Sequence, residues 1–400
     1  MRILILGGGG REHALAWKLA QSPGVEILAA PGNPGIAAIG RCLSLEAAEE
    51  LRPDLTVVGP EAPLVDGIVD RYRAHGLKIV GPARAAAQLE GSKIFAKNFF
   101  VQSNIATARF VTIGSAAGAR RALARFGYPV VLKADGLAAG KGVVIAHDAA
   151  EAEAALAALH GSLVIEEYLE GEEVSFIALS DGKDIVPLAP TQDHKAVFDG
   201  DRGPNTGGMG AYCDSAILTE AQTAEILDRV IRPTVERTGF TGFLYAGLIM
   251  TADGIKVLEF NVRLGDPETQ PLMHRMASDL VPVLMAAATG ELGSTTIEWK
   301  PGPSVCVVLA SGGYPGEFAT GKPITGIAEA EATGATVFQA GTRMGTNGLE
   351  TSGGRVVGVT ASAQTLQGAI QGAYTAAGKI HFDGMHYRTD IGKKGLKRQE

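Results

Sequence analysis

Two oxygen-bearing side chains, Glu259 and Asn261, lie two residues apart at the end of the strand-like run in DGIKVLEFNVRLGDPETQP (253–271). Side chains alternate along a β-strand, so this spacing directs both groups to the same face of a sheet. A carboxylate and an amide oxygen on one rigid face suit a hard divalent cation such as Mg²⁺, which leaves its other positions to water and phosphate. The alternative is a solvated strand end, where polar residues are common.

Two lysines flank a loop of small residues in LKADGLAAGKG (132–142). Lys133 ends a buried strand, and Lys141 lies inside the loop, where glycines and alanines let the backbone close over a polyphosphate and a lysine supplies positive charge. The Walker A pattern fails because Gly142 follows Lys141, so a P-loop is excluded here. Alternatively, Lys133 has no ligand and lies at the edge of the core, with its stem buried and its amine extended into solvent.

An acidic segment, VIEEYLEGEE (164–173), follows next and reads as a hairpin with an acidic turn. Such a turn is more often solvated than functional. Its interest lies in the order of the parts along the chain, which is a lysine, a small-residue loop with a second lysine, an acidic segment and then the paired oxygen ligands.

The first 80 residues alternate between strands and helices, with strands predicted at RILIL, VEILAA, LTVVG and KIVG. This rhythm predicts parallel βαβ units with function at the carboxyl ends of the strands. Glycine-rich loops follow each strand, and the first precedes a helix N-terminus that could bind a phosphate. A dinucleotide fingerprint is disfavoured, because the third small residue is replaced by Glu12 or His13, depending on the register.

Later segments complete the organisation of the chain. A helix over LEGSKIFAKNFFVQSN has Ser92 near its N-cap, and capping-box spacing is present at Asp148–Glu151 and Thr219–Gln222, with a kink predicted at Pro233. TQDHKAVFDGDRGPNTGGMGAY (191–212) has no apolar periodicity and predicts a long functional loop. The last unit has strands at SVCVVLA, TVFQAG and RVVGVTA and a helix around TLQGAIQGAYTAAGKI, with little evident chemistry.

Composition bounds the class of protein. With 400 residues, 46% of them hydrophobic, the chain predicts two to four folded domains. A formal charge of −7 without long runs of one sign argues against nucleic acid as a partner. The cysteines, Cys42, Cys213 and Cys306, lie far apart, which favours a reduced cytoplasm. We expect neither a signal peptide nor a membrane-spanning segment.

Eight segments in this order resemble the glycinamide ribonucleotide synthetase family of the ATP-grasp superfamily: GGGGREHALAWKL, PGNPG, VVGPEAPLVDGI, GPARAAAQLEGSK, KADGLAAGKGV, QDHKAVFDGDRGPNTGGMGAY, GFLYAGL and EFNVRLGDPETQP. The resemblance implies a multidomain α/β and α+β protein. Its parts would be an N-terminal Rossmann-like, pre-ATP-grasp substrate domain of parallel βαβ units (1–88), an ATP-grasp domain (89–295) with a mobile lid at about 107–172, and a small C-terminal β/α domain (296–400).

The activity implied is ATP-dependent ligation of glycine to 5-phosphoribosylamine through glycyl phosphate, in de novo purine synthesis, by a cytoplasmic protein expected to be a monomer. Lys93, Lys133 and Lys141 would contact ATP phosphates. Glu166 and the backbone of Glu167, Tyr168 and Leu169 would read adenine, and Glu173 would hold the ribose. Glu259 and Asn261 would bind Mg²⁺ or Mn²⁺. The catalytic candidates are Lys133, Arg263 and Asp266, and our hypothesis is that Arg263 neutralises the acyl phosphate.

The resemblance also implies two sets of substrate-binding residues. The glycine-rich stretch with Thr206, Gly207, Gly208, Met209 and Gly210 would close on substrate, with His194, Lys195 and Asp199 nearby. The N-terminal candidates for phosphoribosylamine are Gly9, Arg11, Glu12 and Glu61.

The chain departs from the usual family sequence at two places, and two other functions are possible interpretations of the same motifs. The segment between LAALHG and VIEEYL is shorter than is common in the family, which predicts a shorter, stiffer lid. Val262 and Leu264 stand where related sequences often have Cys and Phe, and we interpret both differences as changes in packing.

An ATP-grasp carboxylase or formate-dependent transferase would share Glu259, Asn261 and the lysines but not the QDHK and PNTGGMG stretches. A nucleotide-sensing scaffold would bind without turnover.

Overall fold

A computed structural model describes residues 1–114, 116–137 and 142–398 of the chain. The N-terminal part is a five-stranded sheet in the order β3-β2-β1-β4-β5, with every pair parallel. This confirms the predicted βαβ units and adds the short strand β3. The elements are β1 (Arg2–Gly7), α1 (Gly10–Leu19), β2 (Glu26–Pro31), α2 (Pro34–Ala37), β3 (Arg41–Cys42), α3 (Leu45–Glu50), β4 (Leu55–Val58), α4 (Glu61–Val65), α5 (Ile68–Ala74) and β5 (Ile79–Val80).

Two helices, α6 (Arg84–Gly91) and α7 (Lys93–Gln102), lead to a four-stranded antiparallel sheet in the order β6-β9-β7-β8. We call this four-stranded sheet and the two helices between its strands, α8 and α9, the lid. The lid consists of β6 (Phe110–Ile113), α8 (Ala116–Leu123), β7 (Val130–Ala134), β8 (Val143–Ala146), α9 (Ala149–Ala158) and β9 (Leu163–Glu167). Its apolar side chains form a separate small cluster that includes Leu132 and Ile165.

The largest sheet has ten strands along the order β17-β16-β10-β12-β15-β18-β22-β19, with β11 paired to β10 and β23 paired to β18. Its first part belongs to what we call the body, and its elements are β10 (Glu172–Asp181), β11 (Ile185–Pro187), β12 (Thr191–Asp193), β13 (Ala196–Phe198), β14 (Arg202–Asn205), β15 (Gly210–Cys213), a 3₁₀ turn (Ser215–Ile217), α10 (Glu220–Ile226), a π-helical turn (Leu227–Ile231), α11 (Arg232–Thr238), β16 (Thr241–Thr251), β17 (Gly254–Asn261), α12 (Thr269–Arg275) and α13 (Leu280–Thr289).

The C-terminal unit continues this same sheet, because β18 pairs with β15 of the body over Ser304–Val307. Its predicted strands and long helix are confirmed. The elements are β18 (Ser304–Ser311), α14 (Ile327–Glu331), β19 (Thr336–Gln339), β20 (Thr342–Gly345), β21 (Gly348–Thr351), β22 (Arg355–Ser362), α15 (Leu366–Ala377), β23 (Met385–His386) and α16 (Lys393–Leu396).

Two predictions of local structure were wrong. The stretch 191–212 is not a long loop, because β12 and β15 are strands of the main sheet and β13 and β14 form a hairpin between them. The acidic segment 164–173 is not a hairpin, because β9 lies in the lid sheet and β10 in the main sheet. In both stretches tertiary strand pairing decides which sheet a strand joins, as for β15 with β18 and β9 with β6 and β7, and local periodicity does not reveal that choice.

Most of the helix caps predicted from the sequence are present in the structure. Ser92 caps α7 by accepting a hydrogen bond from Phe95, and Thr219 and Gln222 form the expected capping box. Asp148 caps α9, but the Glu151 carboxylate accepts from the backbone of His147 and so completes no box. The π-helical turn ends just before Pro233, which lies in the first turn of α11, so the helix is interrupted where proline removes a backbone donor.

Two extended apolar clusters join the N-terminal sheet, the body and the C-terminal unit. One contains Leu4, Phe176 and Val307, and the other contains Ile3, Tyr245 and Phe338. The described helices are all too short or too polar to cross a lipid bilayer.

Candidate functional site

The paired oxygen groups lie on β17 as their spacing predicts. β17 runs antiparallel to β16, with Glu259 opposite Gly247 and Asn261 opposite Tyr245, so both side chains share one face. Phe260 between them points to the opposite side and packs edge-on against Phe100, with ring centroids 4.9 Å apart. A side chain at Gly247 would begin 3.2 Å from Cγ of Glu259, so glycine leaves room for the carboxylate.

The two oxygen groups differ in their partners. The Asn261 Oδ1 accepts a hydrogen bond from Arg263 Nη2 at 3.2 Å. Within the described residues the Glu259 carboxylate makes no direct hydrogen bond or ion pair, although it is only partly exposed and lies in the fields of Lys93 and Lys195. A partly buried carboxylate that makes no direct contact with a positive group is a chemically suitable ligand for a cation.

Neighbouring strands add more charge around this pair. Lys195 Nζ lies 2.9 Å from Glu173 Oε2 on β10 and 3.2 Å from Asp193 Oδ1 on β12. Burial opposes the charge on Lys195, but Asp193 and Glu173 outweigh it and raise the pKa of the amine well above its usual value. The field of Glu259 contributes to the same shift. Lys195, from the QDHK stretch, is therefore electrostatically linked to the oxygen pair.

Glu268 is a buried carboxylate that the sequence did not single out. Its Oε1 accepts a hydrogen bond from the Tyr245 hydroxyl at 3.0 Å. Burial, followed by the charge of Asp193, raises the pKa of Glu268 to about 7.

A buried carboxylate on the lid, Glu166, is held between two lysines. Lys133 Nζ lies 2.9 Å from Glu166 Oε1, and Lys97 Nζ lies 2.9 Å from Glu166 Oε2. Lys133 also donates to the Leu258 carbonyl at 3.3 Å, beside Glu259. Burial lowers the pKa of Lys97 to about 8, although Glu166 opposes the change. Glu166, assigned by resemblance to adenine, is thus an ion-pair partner of both amines in this structure.

Lys97 was not among the residues predicted from the sequence. One signal was available, because Lys97 follows Lys93 by four residues on α7 and so lies on the same helix face. Lys93 Nζ donates to the Gly136 carbonyl at 2.8 Å, and burial lowers its pKa. Lys141 lies outside the described residues.

Three more residues assigned to the nucleotide lie at the end of β9 and just after it, where the chain passes from the lid to the body. Glu167, Tyr168 and Leu169 line a groove of about 280 Å³ against the β16–β17 turn. A larger cavity of about 490 Å³ lies away from these groups, between the end of α7 and the π-helical turn, and it contains none of the predicted site residues.

Arg263 leaves β17 toward the N-terminal sheet and meets two carboxylates there. Its Nε lies 3.3 Å from Glu61 Oε2, and its Nη2 lies 2.7 Å from Glu90 Oε1. Burial opposes the charge, but Glu90 and Glu61 raise the pKa of the guanidinium further. Glu90 also accepts from the Val262 backbone at 2.8 Å and was not predicted, because nothing local distinguishes it from a surface glutamate.

The first glycine loop meets the same region. The Glu12 carboxylate accepts from the Gly9 backbone at 2.5 Å and from Arg11 Nε at 2.6 Å. Arg11 in turn donates to the Leu264 carbonyl at 3.0 Å. The residues predicted for phosphoribosylamine therefore lie beside the turn that follows the oxygen pair, although Glu12 occupies the amide that a phosphate would use.

The glycine-rich stretch 205–210 packs on that turn from the other side. Gly208 has φ +112°, and a side chain there would begin 2.4 Å from Cδ of Pro267. The Thr206 hydroxyl donates to the Lys195 carbonyl at 2.8 Å and accepts from Gly208 at 2.9 Å. Met209 is buried, and Gly210 pairs with Val307 of the C-terminal unit.

Asp266, in the same turn, accepts from Gln270 Nε2 at 2.7 Å and pairs with Arg355 Nη2 at 3.0 Å. Burial alone would raise the pKa of Asp266, but Arg355 and Arg11 outweigh it and lower the value. Arg355 comes from the C-terminal unit, in which the sequence had shown little chemistry.

Two residues predicted to bind substrate have other surroundings in the structure: Asp199 is hydrogen-bonded to the C-terminal unit, and His194 is buried. Asp199 accepts hydrogen bonds from the backbone and hydroxyl of Thr389. His194 is 1% exposed, and burial lowers its pKa to about 3, so the ring is neutral at pH 7. Neither ring nitrogen has a hydrogen-bond partner among the described residues. The roles assigned to both residues remain predictions.

Comparison with known proteins covers the full chain. Family models described as phosphoribosylglycinamide synthetase match in three parts, the N domain at residues 1–90, the ATP-grasp (A) domain at 91–269 and the C domain at 304–394. The chain is 48% identical to phosphoribosylamine–glycine ligase of Pseudomonas aeruginosa over 425 aligned positions, covering 100% of this chain and 99% of the relative. It is also 48% identical to the Escherichia coli K12 protein of that name over 428 positions, covering both in full.

Solved structures of related proteins have the same fold as this chain. The crystal structure of phosphoribosylamine–glycine ligase from Thermotoga maritima superposes with a TM-score of 0.86 at 35% identity, covering 98% of this chain and 100% of that one. The biotin carboxylase domain of 2-oxoglutarate carboxylase from Hydrogenobacter thermophilus superposes with a TM-score of 0.75 at 18% identity, covering 100% and 95%. The second likeness shows a shared fold alone.

Proposed function

The chain belongs to the phosphoribosylglycinamide synthetase family, and from that premise we propose how its residues carry out the ligation. The reaction joins glycine to 5-phosphoribosylamine with conversion of ATP to ADP and phosphate, in de novo purine biosynthesis. The glycine carboxylate attacks the γ-phosphorus and ADP leaves. The amine of phosphoribosylamine then attacks the carbonyl carbon of glycyl phosphate, phosphate leaves, and the nitrogen loses a proton.

One observation carries the proposed site. Glu173 on β10, Lys195 just after β12 and Glu259 on β17 form one electrostatically connected group. Lys195 belongs to the QDHK stretch, which an ATP-grasp carboxylase is not expected to share. Phosphoryl transfer depends mainly on positioning and charge neutralisation, and such a group can provide both.

A divalent cation, Mg²⁺ or Mn²⁺, fits Glu259 and Asn261. Both are hard oxygen donors on one face, and the Glu259 carboxylate makes no direct ion pair among the described residues. No cluster of three or more Asp, Glu, His or Cys side chains in the described ranges could hold a metal, so phosphate oxygens and water would supply the remaining ligands. When bound, the cation neutralises charge on the phosphate oxygens.

The chain's own residues divide the remaining work. Lys93 and Lys133 bind phosphate oxygens, and Lys133 exchanges its contact with Glu166 for the nucleotide. Glu167, Tyr168 and Leu169 offer their backbone to adenine from the groove between lid and body, and Glu173 holds the ribose. Arg263 and Asp266, with the loops around Arg11 and Thr206, orient the acyl phosphate and the amine. The same proposal includes a monomer in a reduced cytoplasm, and the unpaired thiols of the three cysteines support the reduced compartment.

ADP release tests this function directly. ADP formation is followed with ATP, Mg²⁺, glycine and phosphoribosylamine, and then with each of the last two omitted in turn. Turnover is expected only with both present. ADP release that is unchanged without glycine contradicts the ligase, and nucleotide binding without any ADP release supports a sensing role.

The oxygen pair has a test of its own. Glu259→Gln removes the charge while keeping the shape, so kcat should fall by roughly 100-fold, because cation binding stabilises the transition state by several kcal/mol. Glu236→Gln, at an exposed position on α11, is the matched control and should keep full activity. Full metal-dependent turnover by Glu259→Gln would show that the cation binds elsewhere.

A further inference from the structure

One guanidinium joins the glycine-rich stretch to the turn after β17. Arg355 Nη1 donates to the carbonyls of Gly207 at 2.6 Å, Gly208 at 3.4 Å and Asp266 at 2.5 Å. Its Nη2 bonds the Asp266 carboxylate at 3.0 Å. Two segments about 60 residues apart thus share one side chain from the C-terminal unit.

A second side chain of that unit acts on the same loop. The Tyr314 hydroxyl accepts a hydrogen bond from the Gly207 backbone at 3.0 Å. A side chain at Gly354 would begin 2.2 Å from Cδ2 of Tyr314, so the ring is wedged against the backbone there. Gly207 is therefore held at its N–H by Tyr314 and at its carbonyl by Arg355.

The local backbone explains how Arg355 reaches the loop. The β18–β22 pairing shifts register between Leu309 and Ala310, with Leu309 opposite Val357 and Ala310 opposite Arg355. Such a bulge redirects the side chains near it and commonly occurs beside active sites. Arginine suits the position, because its planar fork can serve several oxygens at once and the ammonium group of lysine cannot reproduce that geometry.

We propose that Arg355, assisted by Tyr314, is a positioning residue that holds the loop 205–210 against Asp266 and thereby sets the binding of glycine and phosphoribosylamine without affecting the nucleotide. This rests on the proposed function in assigning the loop and Asp266 to those substrates. None of the residues assigned to ATP or to the cation bonds Arg355 in the described part of the chain, so the two effects can be separated.

The test compares Arg355→Lys and Arg355→Gln with Arg343→Gln, an exposed arginine of the same unit that pairs only with Glu350 within the described chain. Both Arg355 variants should lower kcat/KM for glycine and phosphoribosylamine by at least about tenfold, while the Kd for ADP with Mg²⁺ changes by less than about twofold. Tyr314→Phe, a milder change, should lower the same ratios by about two- to fivefold. Arg343→Gln should match the wild type.

Hydrogen exchange supplies an activity-independent measurement. Amides of residues 206–209 should exchange faster in Arg355→Lys and Arg355→Gln than in wild type and the control. Unchanged exchange, unchanged kcat/KM for both substrates, or a parallel loss of ADP affinity would each overturn the proposal. If the wild type itself shows no glycine-dependent ADP release, the proposed function fails, while the exchange comparison still decides whether Arg355 holds the loop.

Discussion

The two units that border the site, the lid and the C-terminal unit, are attached to the body in different ways. The buried apolar residues of the lid form their own cluster, and polar contacts such as Lys97–Glu166 and Lys133–Leu258 connect the lid to α7 and to the body. The C-terminal unit shares both large apolar clusters and one continuous sheet with the body. The lid therefore has an apolar core of its own, whereas the C-terminal unit shares its core with the body.

Matched leucine substitutions test this difference most strongly. Leu132 of the lid and Leu309 of the C-terminal unit are both 0% exposed. Leu309→Ala should lower the global free energy of unfolding by about 2–5 kcal/mol, because it leaves a cavity in the shared core. Leu132→Ala should instead speed hydrogen exchange within the lid strands and leave exchange in β16 and β18 unchanged. Equal, global effects of the two variants would mean that the lid is not an independent unit.

Removal of a buried charge tests the attachment of the C-terminal unit. The Arg388 side chain is fully buried and bonds Asp390, Asp201 and the Ala196 carbonyl at 2.7–3.0 Å. Arg388→Met leaves these oxygens without their cation and should lower the free energy of unfolding by about 3 kcal/mol. Urea unfolding measures this, with the exposed Arg232→Met as control. A separate early transition of the C-terminal unit would show that it folds apart from the body.

Histidine titration gives the smallest expected effect and tests the contact between the N-terminal sheet and the C-terminal unit. Burial lowers the pKa of His13 to about 4, and its Nδ1 accepts from the Gln339 backbone at 2.8 Å. The unfolded chain takes up a proton near pH 6.5 that the folded chain excludes, so stability falls as the pH drops from 6.5 toward 4. Between pH 6.5 and 5, wild type should lose about 2 kcal/mol more than His13→Gln.

The same urea unfolding series checks this prediction at each pH. Glu268, whose raised pKa acts in the opposite direction, is present in both proteins and cancels in the comparison. Parallel pH profiles for wild type and variant would show that His13 is accessible to protons in the folded protein.

Local signals predicted the N-terminal sheet, the helix caps and the face shared by Glu259 and Asn261. Each depends on residues within a few positions of one another, where periodicity and capping act. The strands in 191–212 were missed because each has only three or four residues, too few to show an apolar alternation, and two of them join the main sheet through partners outside the stretch, β10 for β12 and β18 for β15. Glu90, Glu268 and Arg355 were missed for a related reason, since an isolated Glu or Arg carries no mark of the partner that tertiary packing gives it.

The amino-acid sequence determined the family and the reaction and supplied the candidate groups for phosphate and a cation, because motifs of characteristic residue types occur in the family's order along the chain. Tertiary structure alone decided that Glu166 lies between two lysines, that Arg263 meets Glu61 and Glu90, and that Arg355 spans the loop and the turn. Buried charged groups must find partners wherever the fold brings them, and strand pairing across hundreds of residues sets those meetings.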